Sequence, residues 1–233
     1  YPEIVEACRT VFSHFRIALE IPEGLGCCGL AVHAAGDTEG ARMLARGNIA
    51  ALERNDYPIL VSCGSCFAHL SHYRQLFADE PDWLRRAEQV CGRLVELSQF
   101  LDSLLHAEGE RCAPLGSGRK FRVFYHDPCH LRNDLNITRE PRRILNGLAG
   151  VELLELPDGP QCCGQGGLFH LGAPRLAAII RDDLAGKVLA LQPDIITSTC
   201  SGCLMQWKTA VSAADSSVQV LHLAEFLQMY FPR

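Results

Sequence analysis

The chain has 233 residues, 48% of them hydrophobic, which is enough for one large domain or two small ones. A formal net charge of −5 gives no electrostatic reason to expect a nucleic-acid partner. No apolar run approaches the ~20 residues that span a bilayer, so any membrane association is expected to be indirect, through a partner.

Apolar periodicity and turn residues predict alternating helices and strands in the first half of the chain. Asp37 is placed to cap one helix, and a buried strand, PILVS, ends beside Cys63. The predicted order is helix, strand, helix, strand, helix and helix, at residues 2–15, 16–21, 38–54, 58–62, about 65–78 and 81–104. The apolar face of the first helix is expected to hold Ile4, Val5, Cys8, Val11, Phe12 and Phe15.

Glycine, proline and charged residues at 106–120 are typical of a linker. The alternation then resumes, and strands that alternate with helices predict an α/β fold with parallel sheets flanked by helices. Strands are expected at 121–126, 151–157, 194–198 and 218–223. Helices are expected at 140–150, 174–191, about 203–212 and the C-terminus.

One cysteine pattern occurs in both halves of the chain. The triplet Cys-Cys-Gly at 27–29 recurs 135 positions later at 162–164, and the C-x-x-C pair at 63–66 recurs 137 positions later at 200–203. This self-similarity predicts a tandem duplication of one α/β unit rather than a solenoid of many copies. The predicted units are 1–105, which is N-terminally incomplete, and 121–233.

Three cysteine segments of the second half each follow a predicted strand. Because parallel strands direct their carboxyl ends into one crevice, we expect five thiols to converge there. Five exceed the four ligands of a usual zinc site, and adjacent cysteines suit a body with several metal atoms, so soft thiolates favour an iron–sulfur cluster. The predicted ligands are Cys129, Cys162, Cys163, Cys200 and Cys203, and in the first half Cys27, Cys28, Cys63 and Cys66.

The first cysteine pair also lies within a Gly-x-Gly-x-x-Gly pattern, Gly24 to Gly29, which is typical of a dinucleotide-binding loop after a strand. In such a site an acidic residue closes the next strand. Here that strand ends in Cys63, and the copy at 162–164 keeps the cysteines without the glycine spacing. A metal site is therefore the favoured interpretation.

Other cysteines and histidines are expected to have ordinary roles. Cys8 and Cys91 lie on apolar helix faces, where burial is expected, and Cys112 is expected to be a free thiol of the linker. His130 is adjacent to Cys129 and could tune a cluster by hydrogen bonding, although a structural role is favoured. The remaining histidines show no ligand spacing. Twelve cysteines among long helices and strands indicate a reducing cytoplasm rather than a secreted disulfide scaffold.

The spacing in the second half resembles that of the CCG cysteine-rich domain family. A cysteine in YHDPCHL is followed after 32 residues by the pair in QCCGQGG and, after 36 more, by the C-x-x-C of TCSGC. The family includes the cysteine-rich catalytic chain of heterodisulfide reductase and the iron–sulfur proteins of glycolate oxidation and lactate utilisation; GDTEGARMLARGNI and FADEPDWLRRAEQV are most similar to the latter two. The resemblance implies 4Fe–4S clusters, one per unit, some of them noncubane centres held by five cysteines.

The resemblance further implies an electron-transfer subunit of a complex that oxidises a 2-hydroxy acid such as lactate or glycolate. Its expected partners are a flavin-containing dehydrogenase and a ferredoxin-type subunit or domain, in the cytoplasm or at the inner face of the membrane through those partners. One alternative is a heterodisulfide reductase-like catalytic subunit that cleaves a disulfide at the five-cysteine centre. A redox-silent structural metal module is another.

The first copy of the pattern lacks the leading cysteine. The counterpart of Cys129 falls about six positions before Tyr1, and the sequence shows neither an initiator methionine nor a signal peptide. Cys8 lies within a predicted helix and is a poor substitute. We therefore expect the native polypeptide to continue upstream through a strand that ends in a cysteine.

Overall fold

The computed structural model describes residues 1–107 and 118–231. They form two compact units: the small unit, Glu20–Leu97, and the large unit, which combines Tyr1–Leu19 with Ser98–Arg233. The small unit contains the first copy of the cysteine pattern and the large unit contains the second. The predicted boundaries at 105 and 121 stay a prediction, and most of the predicted linker lies outside the described residues.

The first part of the chain is mostly helical, with two short strands. Its elements are α1 (Pro2–His14), α2 (Leu30–Ala34), α3 (Thr38–Leu52), β1 (Ile59–Val61), α4 (Gly64–Ser71), α5 (Tyr73–Leu76), α6 (Pro81–Cys91), β2 (Leu94–Glu96) and α7 (Leu97–Ala107). In the small unit β1 and β2 pair in parallel, with Ile59 opposite Leu94, and α4 packs on both strands. The Asp37 side chain accepts a 2.8 Å hydrogen bond from the Gly40 N–H, which confirms the predicted helix cap.

The large unit is built on a four-stranded parallel sheet in the order β4-β3-β5-β6. Its elements after residue 117 are β3 (Phe121–Tyr125), a π-helix (His130–Asp134), α8 (Arg139–Gly147), β4 (Val151–Leu154), α9 (Phe169–Gly172), α10 (Pro174–Ala190), β5 (Ile195–Ser198), α11 (Ser201–Ala213), β6 (Gln219–His222) and α12 (Leu223–Gln228). All four residues of β5 are buried, and α8, α11 and α12 pack on the strands. The predicted parallel α/β architecture in two related units is confirmed.

The predicted strand at 16–21 is wrong, because these residues have no regular structure. Arg16 has a left-handed φ of 57°, which breaks the extended path at its start. In the second copy the corresponding strand, β4, pairs only with β3. Before Arg16 the described chain forms α1 and offers no counterpart of β3, so the segment lacks a neighbouring strand.

The single predicted helix over 81–104 is also wrong. It is divided by β2, whose three residues pair with β1 and end at the fully buried Glu96. The turn after Gly92 separates α6 from this strand. Short apolar runs fit a strand or a helix equally well, and here the available partner strand decides.

Helix α1 buries most of its predicted apolar face. Ile4, Cys8, Val11 and Phe12 are buried, whereas Val5 is exposed because it lies beside the buried stripe rather than on it. Phe12 stacks on Phe100 with ring centroids 5.6 Å apart, within the large unit. Among the residues that the structure describes, no helix has the length and apolarity to cross a membrane.

Candidate metal centre

Cysteines of the large unit lie just beyond the carboxyl ends of its strands. Cys129 follows β3 by four residues, Cys162 and Cys163 lie in the loop after β4, and Cys200 follows β5 by two. The remaining member, Cys203, lies in the first turn of α11. These are the strand ends at which convergence was expected from the sequence, because parallel strands point the same way.

Each C-x-x-C pair begins a helix. Cys200 and Cys63 cap α11 and α4 with extended backbone, φ −135° and −119°. The first helical hydrogen bonds then run from the Leu204 and Phe67 N–H groups to the cysteine carbonyls, at 3.0 and 2.8 Å. In both copies the second cysteine is therefore in the first turn, where unpaired amide N–H groups favour negative charge.

The two Cys-Cys-Gly triplets form the same turn. Gly164 and Gly29 have φ of 80° and 91°, and their N–H groups lie 3.3 and 3.5 Å from the sulfurs of Cys162 and Cys27. At Gly164 an added Cβ would lie 2.6 Å from the Ala177 carbonyl oxygen, so no other residue fits without displacing backbone. The repeat in the letters is thus also a repeat in backbone geometry.

All five predicted cysteines of the large unit are joined in one thiol cluster. Cys162 is hydrogen-bonded to Cys129 and Cys163, Cys163 to Cys203, and Cys203 to Cys200. Cys163, Cys200 and Cys203 are buried, Cys129 is half-buried and Cys162 is exposed. The structure therefore brings the five together, and their role as metal ligands stays a prediction.

The pKa shifts in this cluster favour a thiolate at Cys162. Hydrogen bonds from Cys129 and Cys163 lower the pKa of Cys162 to about 2. The same bond to Cys162 is the main cause that raises the pKa of Cys163 to about 12, and the pKa values of Cys129 and Cys203 are raised by their thiol neighbours and by burial. Further thiolates are disfavoured because like charges repel in a buried site. Soft metal cations would reverse that balance, so this donor set fits a multi-metal group.

A buried histidine lies in the same cluster. One ring nitrogen of His126 and the sulfurs of Cys163 and Cys203 all lie within 4.8 Å of one another, and all three side chains are buried. Burial lowers the pKa of His126 to about 4, which keeps the imidazole neutral. This residue was not predicted from the sequence, where its only signal was its place at the end of the predicted strand, three positions before Cys129. His130, which was considered instead, has its Nδ1 3.9 Å from the Cys129 sulfur.

The small unit holds the four predicted cysteines of the first copy. Cys28 is hydrogen-bonded to Cys66 and Cys27, and Cys66 to Cys63. The bond from Cys66 is the largest cause that lowers the pKa of Cys28 to about 7, and it raises the pKa of Cys66. Cys27 is exposed and the other three are half-buried. This cluster resembles that of the large unit, but it has four cysteines instead of five and they are more exposed to solvent.

Two buried polar side chains hold the Cys27–Cys28 loop. Asn48 accepts a 2.8 Å hydrogen bond from the Gly26 N–H and donates to the Cys27 carbonyl at 2.9 Å. Tyr73 donates to the Cys28 carbonyl at 2.7 Å and accepts from Asn48 at 3.0 Å. Both are buried, with 3% and 0% exposure. Neither residue could be found from the sequence, since each lies on a helix face without a motif.

Other predicted cysteine roles have separate outcomes. Cys8 is buried as expected, and burial raises its pKa to about 12. Cys91 is half-buried, and its thiol donates to the Leu70 carbonyl at 3.2 Å. Cys112 lies outside the described residues. None of the eleven cysteines within them forms a disulfide.

The structure does not support the alternative that Gly24 to Gly29 form a dinucleotide-binding loop. Such a loop joins a strand to a helix, but residues 16–21 form no strand. The helix that follows Gly29 has only five residues. The glycine pattern serves the turn of the cysteine pair instead.

Comparison with known proteins yields one family. The model of the family described as CCG, cysteine-rich domain, matches residues 1–71 and 123–208, which include both copies of the pattern. The chain is 30% identical to "Lactate utilization protein A" of Shouchella clausii over 227 residues, 97% of this chain and 92% of that protein. It is 28% identical to "Lactate utilization protein A 2" of Bacillus cereus (strain Q1) and 27% to "Lactate utilization protein A 1" of Bacillus anthracis (strain CDC 684 / NRRL 3495), with the same coverage. These matches confirm the resemblance inferred from the cysteine spacing.

Proposed function

The chain belongs to the CCG cysteine-rich domain family, and from that premise we propose that it is an iron–sulfur electron-transfer subunit in the oxidation of lactate or glycolate. The observation that carries the proposal is the cluster of five thiols at the strand ends of the large unit. Similarity to proteins named for lactate utilisation, along almost the whole chain, supports the substrate class.

The proposed cofactor is a 4Fe–4S cluster in each unit, which when bound supplies one-electron transfer. In the large unit the ligands would be Cys129, Cys162, Cys163, Cys200 and Cys203. In the small unit they would be Cys27, Cys28, Cys63 and Cys66. The buried cysteines of the large unit limit the access of water, and Cys203 and Cys66 lie in the first turns of α11 and α4, where unpaired N–H groups favour negative charge.

We assign the substrate chemistry to a partner. A flavin-containing dehydrogenase would remove a hydride and a proton from the 2-hydroxy acid, leaving the 2-oxo acid. This chain would accept the two electrons singly and pass them on, with a ferredoxin-type subunit or domain as the second partner. The described cysteines form no disulfide, which fits a reducing cytoplasm, with any membrane contact made by the partners.

A disulfide-cleaving subunit is the second candidate. It is favoured by the exposure of Cys162 beside the buried thiols, since a thiolate at the protein surface can approach a disulfide. Cleavage would take two electrons from a partner and two protons, and would release two thiols.

The experiment is turnover by the anaerobically prepared chain, alone and with a lactate- or glycolate-oxidising flavoprotein. We expect no hydroxy-acid oxidation by the chain alone, and bleaching of its iron–sulfur absorbance when the flavoprotein and lactate are added. Hydroxy-acid oxidation without the flavoprotein would contradict the proposal. Reduction of a disulfide by the chain and a chemical electron donor would favour the second candidate.

A further inference from the structure

We propose that His126 is a ligand of the metal centre in the large unit, so that the centre has a mixed sulfur and nitrogen donor set. The proposal is based on a distance: a ring nitrogen of His126 is within 4.8 Å of the sulfurs of both Cys163 and Cys203. In the part of the chain that the structure describes, this is the one buried group of three such donors. The inference rests on the proposed function only in taking the site to hold metal.

The backbone of His126 is fixed by the sheet. Its N–H donates to the Thr197 carbonyl at 2.8 Å, which continues the pairing of β3 with β5 by one residue. Its carbonyl accepts a 2.9 Å hydrogen bond from the Ser198 hydroxyl. Both bonds are made at the strand ends that deliver the cysteines. His126 therefore reaches the thiol cluster from a rigid element rather than from a loop.

The ring of His126 is held as well. The indole of Trp207 packs against it edge to face, with centroids 5.6 Å apart, and Trp207 is itself 2% exposed. Trp207 lies one helical turn after Cys203 on α11, so the same helix supplies a thiol and the support of the imidazole. His126 is 2% exposed, and its ring is shielded from solvent.

An imidazole ligand at this position would affect the reduction potential of the metal centre. A neutral imidazole is a common ligand of iron and zinc, with a bond of about 2.0–2.1 Å to zinc. An imidazole adds a nitrogen donor to the thiolates without adding negative charge, and the ligands of an iron–sulfur centre help to set its reduction potential. Loss of His126 should therefore shift the reduction potential of the centre in the large unit.

Nitrogen ligation is measured directly by pulsed EPR on protein labelled with 15N-histidine and reconstituted anaerobically with iron and sulfide. We expect a strongly coupled 15N signal in the wild-type chain. It should be lost in His126→Ala, whose reduction potential should also shift. The matched control is His222→Asn: His222 is equally buried at the end of β6, and asparagine keeps its helix-capping role. In that variant the nitrogen signal should persist.

The wild-type spectrum alone decides the case if His126→Ala does not fold. A paramagnetic centre without a strongly coupled nitrogen, or an equal signal in His126→Ala, would overturn the inference. A parallel sample loaded with Co²⁺ alone tests the same ligand without sulfide. Absence of acid-labile sulfide in the first sample would count against the proposed function, whereas absence of nitrogen coupling to Co²⁺ would count against His126.

Discussion

The Cys-Cys-Gly loops of the two units share a turn but differ in what supports it. In the large unit Gly164 lies against the backbone of α10, where an added Cβ would be 2.6 Å from a carbonyl oxygen. At Gly29 of the small unit the nearest atoms would be 3.6 Å away, and Asn48 and Tyr73 hold the loop carbonyls instead. The motif thus determines the turn, while each unit supplies its own scaffold.

The thiol clusters of the two units also differ in how deeply their cysteines are buried. Three of the five cysteines of the large unit are buried, and a buried histidine accompanies them. The four cysteines of the small unit are half-buried or exposed. Burial limits the access of water to the thiolates and weakens the screening of their charges. The two metal centres are therefore expected to differ in stability and in reduction potential.

The largest effect is expected from removal of a central buried thiol. Cys163→Ala should abolish most of the iron bound by the large unit, because Cys163 joins Cys162 to Cys203. Cys8→Ala is the matched control, since Cys8 is equally buried and lies outside the cluster. Cys28→Ala should remove iron from the small unit alone. Equal iron content in the Cys163→Ala and Cys8→Ala variants would contradict the assignment of Cys163 to the metal centre.

A second large effect is expected beside the cluster. Asp127 is 3% exposed and accepts two 2.7 Å hydrogen bonds from Arg142. Arg142→Met leaves this buried carboxylate without its cation and should lower the free energy of unfolding by about 3 kcal/mol. The more exposed pair Arg46–Glu80 of the small unit makes two similar bonds, and Arg46→Met should cost about 1 kcal/mol or less. Denaturant unfolding of both variants measures the difference; equal losses would contradict it.

The paired glycines give an intermediate effect. Gly29→Ala should cost about 1–2 kcal/mol, because only the positive φ opposes alanine there. Gly164→Ala should cost more and lower iron content, since its Cβ also meets the Ala177 carbonyl. Thermal unfolding and iron analysis test the pair. A larger loss at Gly29 than at Gly164 would show that the scaffold of the large unit is not the tighter one.

The smallest effect is expected at the loop support of the small unit. Tyr73→Phe removes the hydrogen bond to the Cys28 carbonyl and should cost about 1 kcal/mol. Because Tyr73 lies in the small unit, iron in the large unit should not change. Iron content measured in a Cys28→Ala background isolates the large-unit site. Loss of large-unit iron in Tyr73→Phe would mean that the two sites are not independent.

The sequence predicted those features that rest on local patterns. The helix cap at Asp37, the helices begun by Cys63 and Cys200, and the strands before the second set of cysteines follow from short-range periodicity and capping. Features that depend on a partner in space were missed. Residues 16–21 lack a neighbouring strand, whereas Leu94–Glu96 gain one in β1.

The same distinction applies to the sites. The cysteines were identified because their spacing is repeated in the sequence. His126 was missed, since a single histidine after a strand carries no spacing, and its approach to Cys163 and Cys203 arises only when β3 lies beside β5. Asn48 and Tyr73 were missed for the same reason, since they are 25 positions apart and only the fold brings them within hydrogen-bond distance.

Iron and acid-labile sulfide per chain after anaerobic purification, followed by EPR of the oxidised and reduced protein, test most directly whether this chain is an iron–sulfur protein. We expect both elements in similar amounts and an EPR signal that appears or disappears with reduction. The signal of the large unit should be lost in Cys163→Ala and retained in Cys8→Ala. A chain that binds neither iron nor sulfide, or a centre that stays redox-silent, would contradict the proposed function.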